Sequence, residues 1–295
     1  YEYLDNNNNG VYDEGEDFVD SFLNYIDPSL IDNIEQFDVK AYFVQDNIIF
    51  VDKDAADGGD GTSWAKAYKN IQDPLLTANE GDQIWIKGGT YYPDEGGFSI
   101  ADSRSESFII SNGISLYGGF VGNESSIGQR DLENNPPTIL SGDIDQDGTT
   151  AGNSYHIMIA SDDVIINGFT FQDGYADGLY ADSQGSALYC IGVNPTIENN
   201  IFQNNYAGSF GGAIYQLIQA TLKNNRFINN SAQTKGGAIY GLNQSVSESN
   251  YYEGNSVTDS SGKGGAIFGL VSSQFKSDVF LNNIVDLEDG RGGAV

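Results

Sequence analysis

The segment Gly211-Gly-Ala-Ile-Tyr215 has close copies at Gly185-Ser-Ala-Leu-Tyr189, Gly236-Gly-Ala-Ile-Tyr240 and Gly264-Gly-Ala-Ile-Phe268, and the chain ends on a fifth, Gly292-Gly-Ala-Val295. The offsets between copies are 26, 25, 28 and 28 residues. A second element keeps step with the first: Phe171-Gln-Asp-Gly174, Phe202-Gln-Asn-Asn205, Phe227-Ile-Asn-Asn230, Tyr252-Glu-Gly-Asn255 and Phe280-Leu-Asn-Asn283. A fixed period of this length marks a chain that builds one small unit repeatedly and stacks it. Between the markers lie short runs of period two, such as Thr221-Leu-Lys-Asn-Asn-Arg-Phe227, too short for helices. One such strand cannot bury its apolar side alone. Stacked coil on coil at the ~4.8 Å spacing of hydrogen-bonded strands, the set buries a continuous core. The fold class expected is therefore all-β, a parallel β-helix (solenoid). The Gly pair supplies a turn with positive φ or a close backbone approach. The recurring Asn is expected to form a side-chain ladder that bonds backbone groups at the turns.

The phased Gly-Gly-Ala-Ile and Phe-x-x-Asn elements resemble the polymorphic outer membrane protein repeat of secreted bacterial β-helix adhesins. Upstream, Phe50-Val-Asp52 with Gly58-Gly-Asp-Gly-Thr-Ser-Trp64 is similar to the opening of many secreted bacterial right-handed β-helix proteins. So are Gly81-Asp-Gln-Ile-Trp-Ile-Lys-Gly-Gly-Thr-Tyr91, Ser115-Leu-Tyr-Gly-Gly-Phe120 and Ile139-Leu-Ser-Gly-Asp143. The resemblance covers residues 48–295. It implies a right-handed parallel β-helix and a secreted or cell-surface setting. It implies no particular activity, because such scaffolds carry many functions.

Two domains are expected. Residues 1–47 carry Asp/Asn runs and read as a calcium-loop module or linker, and residues 48–295 form the β-helix. A capping helix is expected over residues 62–79. Thr62 or Ser63 caps it, Trp64, Ala67, Tyr68, Ile71, Leu75 and Leu76 mostly share a face, and Pro74 kinks or ends it. Strands are expected at Gln83–Lys87, Ser107–Ile110, Ile114–Tyr117, Thr138–Leu140, His156–Ala160 and Val164–Phe171, with a long loop from Gly118 to Pro137. The Gly-Gly-Ala-Ile coils occupy residues 164–295. The start at Tyr1 and the stop inside a repeat suggest a piece of a longer protein whose coils continue, so further segments of that protein are expected partners.

The chain carries 42 acidic against 13 basic residues, a net charge of −29. Such a chain repels phosphate backbones and anionic membranes, so nucleic acid is not an expected partner. No apolar run is long enough for a membrane-spanning helix, and membrane insertion is not expected. The single Cys190 excludes an intrachain disulfide and a Cys-based zinc site, and reads as a small buried side chain.

Calcium is the cofactor expected. Asp5-Asn-Asn-Asn-Asn-Gly-Val-Tyr-Asp-Glu-Gly-Glu16 fits the twelve-position pattern of a calcium loop. Asp5, Asn7 and Asn9 take the first three odd positions and Gly10 the sharp turn. Val11 offers its carbonyl, Asp13 acts directly or through water, and Glu16 chelates. The segment resembles the calcium loops of EF-hands and dockerins. A second, weaker set is Asp143, Asp145 and Asp147 in Asp143-Ile-Asp-Gln-Asp-Gly148, where the twelfth position falls on Ser154. Asp52, Asp54, Asp57 and Asp60 read as turn residues.

Lys235, Lys263 and Arg291 each precede a Gly pair. Stacking places them about 5 Å apart on one side, as a stripe for an anionic glycan or as a solvated turn position. Asp259, Glu288 and Asp289 are near enough in sequence to neutralise them. Tyr189, Tyr215, Tyr240 and Phe268 form an aromatic column. Facing out, it stacks on sugar rings; facing in, it is core, and the inward placement is expected. His156 reads as a structural strand residue and Arg130-Asp131 as a loop salt bridge.

The function expected is a non-catalytic, secreted or cell-surface adhesin-like or structural β-helix, calcium-stabilised and binding polysaccharide or cell-surface glycan. The alternatives are a polysaccharide lyase or hydrolase on the same scaffold and a subunit of an extracellular surface filament.

Overall fold

A computed structural model describes residues 2–3, 18–19, 47–285 and 293–294. The chain divides into two compact units, Tyr1–Gln45 and Asp46–Val295. In the first, Glu2–Tyr3 pairs antiparallel with Phe18–Val19. Asp5, Asn7, Asn9, Val11, Asp13 and Glu16 lie outside the described residues.

The second unit is a parallel β-solenoid. One coil runs through Thr196–Glu198, Ile201–Gln203, Tyr206–Ala207 and Ile214–Ile218. The chain then returns as Thr221–Lys223, which lies parallel on the first strand with Thr221 opposite Thr196. Repetition makes four parallel sheets of eight, seven, five and six strands, here called the first to fourth in chain order within a coil. The registers superpose the sequence repeat. Phe202, Phe227 and Tyr252 are opposite one another in the second sheet, and Ile214, Ile239 and Ile267 in the fourth.

Each sheet turns one set of side chains inward. Phe171, Phe202, Phe227, Tyr252 and Phe280 stack with ring centroids 4.7–4.9 Å apart. Leu116, Ile166, Ile197 and Leu222 from the first sheet and Leu188, Ile214, Ile239 and Ile267 from the fourth meet them. The third sheet buries the small side chains of Ala176, Ala207 and Ala232. Each fully buried Phe contributes about 1.5–3 kcal/mol over its exposed state.

The corners explain the Asn content. A left-handed residue makes the bend, as Asn199 (φ 57) or Asn204 (φ 56), and the next residue, Asn200 or Asn205, is buried. The Asn230 Oδ1 accepts both the backbone N–H and the Nδ2 of Asn205, while the Asn230 Nδ2 donates to the Phe202 carbonyl and to Asn255 Oδ1. The expected ladder thus runs through Asn205, Asn230, Asn255 and Asn283. A second one runs through Asn200, Asn225, Asn250 and Asp278.

The two glycines of each pair have different reasons. Gly211, Gly236 and Gly264 sit at φ 62–66, the left-handed region. At Gly212 and Gly237 the next coil is too close. A Cβ there would come within 2.2 Å and 2.1 Å of the carbonyl oxygens of Gly237 and Gly265.

Three expectations at the N-terminal end are corrected. The helix over 62–79 is instead a 3-10 turn, Trp64–Lys66, and a single turn of α-helix, Gln72–Leu75. Between them the chain is extended, because Tyr68 pairs with the edge of strand Ile48–Val51: its N–H donates to the Phe50 carbonyl, and its carbonyl accepts from Asp52. Satisfying a strand edge outweighs helical propensity there. The strand over 164–171 is two strands, Ile165–Asn167 and Phe169–Gln172, broken where Gly168 (φ 88) turns between sheets. Strand Ser115–Phe120 runs further than expected, so the long loop begins at Val121.

Candidate functional site

Alternation in the fourth sheet decides what that face displays. Leu188, Ile214, Ile239 and Ile267 are fully buried. Their successors Tyr189, Tyr215, Tyr240 and Phe268 therefore point outward and are half-buried. The inward placement expected for this column is overturned. The Gly-pair turn sets the parity, leaving Ala213 and Ile214 both inside, and period two alone does not reveal that.

The outward rings stack on one another at 5.2, 5.5 and 5.9 Å between centroids. Their faces are turned along the stack, so solvent meets ring edges and hydroxyls. Burial, then the neighbouring Tyr189 and Tyr240, raises the pKa of the Tyr215 phenol. The row presents phenol hydroxyls at Tyr189, Tyr215 and Tyr240 and a bare ring edge at Phe268.

A second column lies beside it. Gln184, Phe210, Lys235 and Lys263 bridge successively in parallel; Gln184 precedes Gly185-Ser186 and each of the others a Gly pair. Arg291, the next in the series, lies outside the described residues. The Phe210 ring stacks on Tyr240 at 4.6 Å. The Lys235 Nζ lies 5.5 Å from the Phe210 centroid and 5.1 Å from that of Phe268. These rings attract the Lys235 ammonium through their π faces. Asp259 is turned to its own loop, accepting from Ser261; Glu288 and Asp289 lie outside the described residues. Among the described residues neither lysine forms an ion pair. Gln184 and Phe210 share neither charge nor type with the lysines, so the sequence alone does not mark them as members of the column.

The acidic cluster is on another side. Asp143, Asp145 and Asp147 each bring a carboxylate oxygen within 4.8 Å of the others. Burial, and then the neighbouring Asp145 and Asp147, raises the pKa of Asp143. Burial followed by Asp143 does the same to Asp173. The looser acids are turn residues: Asp52 accepts from the Asp54 amide and Asp60 from Thr62, while Asp52 also pairs with Lys87 at 2.7 Å.

His156, Arg130 and Cys190 are each held by the scaffold. His156 is buried, its Nδ1 3.1 Å from the Gly185 carbonyl and its ring 4.9 Å from Tyr189. Burial lowers its pKa against the opposing pull of Gly185 and Asp182. Arg130 does not pair with Asp131. Its guanidinium donates to the Gly118 carbonyl and the Asn167 side chain, 5.3 Å from the rings of Tyr117 and Phe120. Asp131 instead accepts from the amides of Glu133 and Asn134. The Cys190 thiol is buried, which pushes its pKa up to about 11.

These features define a β-solenoid with an internal aromatic stack, two carboxamide ladders and one outward aromatic–lysine strip. Two coils match a family model described as the Chlamydia polymorphic membrane protein repeat, at residues 201–216 and 226–242. Each matched stretch joins a strand of the second sheet to the Gly-Gly-Ala-Ile turn, so the coils are repeats of the polymorphic membrane protein type. Searches of curated proteins and of solved structures gave no match. No helix among the described residues is long and apolar enough to cross a membrane.

Proposed function

We propose that this chain is a secreted or cell-surface, non-catalytic structural solenoid of adhesin-like type, and that it contacts glycans along the outer face of the fourth sheet. The observation that carries the reading is the outward strip itself. In a chain of net charge −29, two lysines stand side by side next to a row of tyrosine hydroxyls. That combination suits an extended acidic polysaccharide, with the ammonium groups meeting carboxylate or sulfate and the hydroxyls meeting sugar hydroxyls. Sugar rings stacking on the column are not part of the proposal, because its ring faces cover one another. The polymorphic membrane protein-type repeats support the surface setting. Calcium held by Asp5, Asn7, Asn9, Val11, Asp13 and Glu16 belongs to the same reading, supported by the twelve-position match.

The test is binding of the full chain to immobilised glycans in a screen that includes uronate and sulfated polymers. Lys235→Glu with Lys263→Glu is expected to weaken binding of acidic glycans by about tenfold or more, near 1.4 kcal/mol. The two side chains are half-buried and exposed, so circular dichroism stays unchanged. Equal binding by the double variant removes the strip from the proposal. Release of sugar fragments from a uronate polymer overturns the non-catalytic reading.

A further inference from the structure

We propose that the excursion 143–154 is a calcium site built on the solenoid wall, independent of the glycan strip and of the N-terminal loop, and that Asn153 supplies a ligand the acidic motif lacks. Asp143, Asp145 and Asp147 alone would be an ordinary solvated turn. Three further observations set them apart. Asn153 is only 1% exposed, its Nδ2 donates to the Asp173 carbonyl, and its Oδ1 is buried with no hydrogen-bond partner. The Asp143 carboxylate is divided in the same way: Oδ2 accepts from the Gly148 amide, and Oδ1 is buried without a partner. Both residues line one cavity of about 120 Å³, shared with Asp173, Gly148, Thr149 and Thr150. A buried acceptor without a donor costs about 1–3 kcal/mol. Two in one small polar cavity, with Asp173 on its lining and carboxylate oxygens of Asp145 and Asp147 within 4.8 Å of that of Asp143, ask for a cation.

The chemistry selects the ion. The donors are hard oxygens, carboxylate and carboxamide, with no described His or Cys in the cluster. Calcium takes about six to eight such oxygens in flexible geometry, whereas magnesium demands a tight octahedron. Asp143 Oδ1, Asn153 Oδ1 and the two exposed carboxylates supply four, and water completes the set. None of the ion pairs among the described residues involves Asp143, Asp145, Asp147 or Asp173.

The position gives the ion a task. In this coil the excursion takes the place of a strand in the third sheet, whose first strand is Tyr175–Ala176. The Ser154 carbonyl accepts from the Tyr175 amide, so the end of the excursion covers the open edge of that sheet. Asp173 belongs to the following coil, where Gln172 pairs with Ser141. A cation here joins the excursion to the next coil and screens four acids gathered at one corner.

The experiment is calcium titration by calorimetry on the chelator-treated full chain carrying Asp5→Asn and Glu16→Gln, which silences the N-terminal loop. That chain is expected to bind one calcium ion, with slowed amide exchange over residues 144–154. Adding Asp145→Asn or Asp147→Asn, both exposed side chains whose loss leaves the fold intact, is expected to weaken the affinity by about tenfold to a hundredfold. Asn153→Ala is expected to do the same. Absence of any calcium heat up to millimolar concentration, or equal affinity in the Asp145 and Asp147 variants, overturns the assignment.

Discussion

At the scale of single residues the solenoid depends on carboxamides more than on charges. Asn230 is fully buried and has every hydrogen-bonding capacity of its side chain used. Asn230→Ala leaves the Asn205 amide without its acceptor and takes one donor each from the Phe202 carbonyl and from Asn255 Oδ1, which keeps only the backbone N–H of residue 230. The expected loss is about 3 kcal/mol or more, read as a lower urea midpoint. Its neighbour Asn229 is exposed at φ 53, where glycine carries no steric penalty, so Asn229→Gly is expected to change the midpoint little. A chain that tolerates both substitutions alike would contradict the ladder. The sequence made this ladder visible because each Asn stands three residues after an aromatic. The ladder through Asn200, Asn225 and Asn250 was not visible, since the residues after it, Ile201, Arg226 and Tyr251, share no character.

Between elements, the question is what holds one coil in register on the next. Two devices are present. On the outer face of the first sheet Glu198, Lys223, Glu248 and Lys276 are opposite one another in succession, an alternation of sign that a shifted register would lose. Lys276 and Glu248 are 2.6 Å apart. At the turns the second glycine of each pair lets the coils touch. Gly237→Ala sets a methyl against the Gly265 carbonyl and the backbone of Ser256. Backbone on both sides gives it nowhere to go, so about 3 kcal/mol or more is expected to be lost in urea unfolding. Gly254→Ala, at positive φ where Gly237 is not but facing only the tip of the Asn229 side chain, is expected to cost less. Equal losses would show that coil contact at Gly237 costs no more than a left-handed backbone does at Gly254. The helix expected over 62–79 failed at this scale as well. Its apolar spacing is real, with Ala67 and Ile71 buried, but an unpaired strand edge claimed Tyr68 for extended pairing. Nothing in a local window records that edge.

Over the whole molecule the repeat made the architecture legible, and the parity of each face was what it left open. A period of 25 to 28 residues states that coils stack but not which side of a strand looks outward. Hence the tyrosine row was expected inside and is outside. The acidic cavity shows the same limit. Asp143, Asp145 and Asp147 are a motif, but Asn153 and Asp173 join them only through the path of the excursion and the stacking of Gln172 on Ser141. Stacking also has a mechanical consequence. Each coil meets only the coils above and below it, so stability is nearly a sum of coil and interface terms. Phe227 stacks at 4.9 Å on Phe202 and 4.8 Å on Tyr252 and is fully buried. Phe227→Ala is expected to cost about 3–5 kcal/mol, and the cost should be local. Amide exchange should accelerate in strands Ile201–Gln203, Arg226–Ile228 and Tyr251–Glu253 while strands Gln83–Lys87 and Ser115–Phe120 keep their protection. Uniform acceleration across all of these strands would mean that the solenoid opens as one block, and that the column of rings transmits the loss along its length instead of confining it to two interfaces.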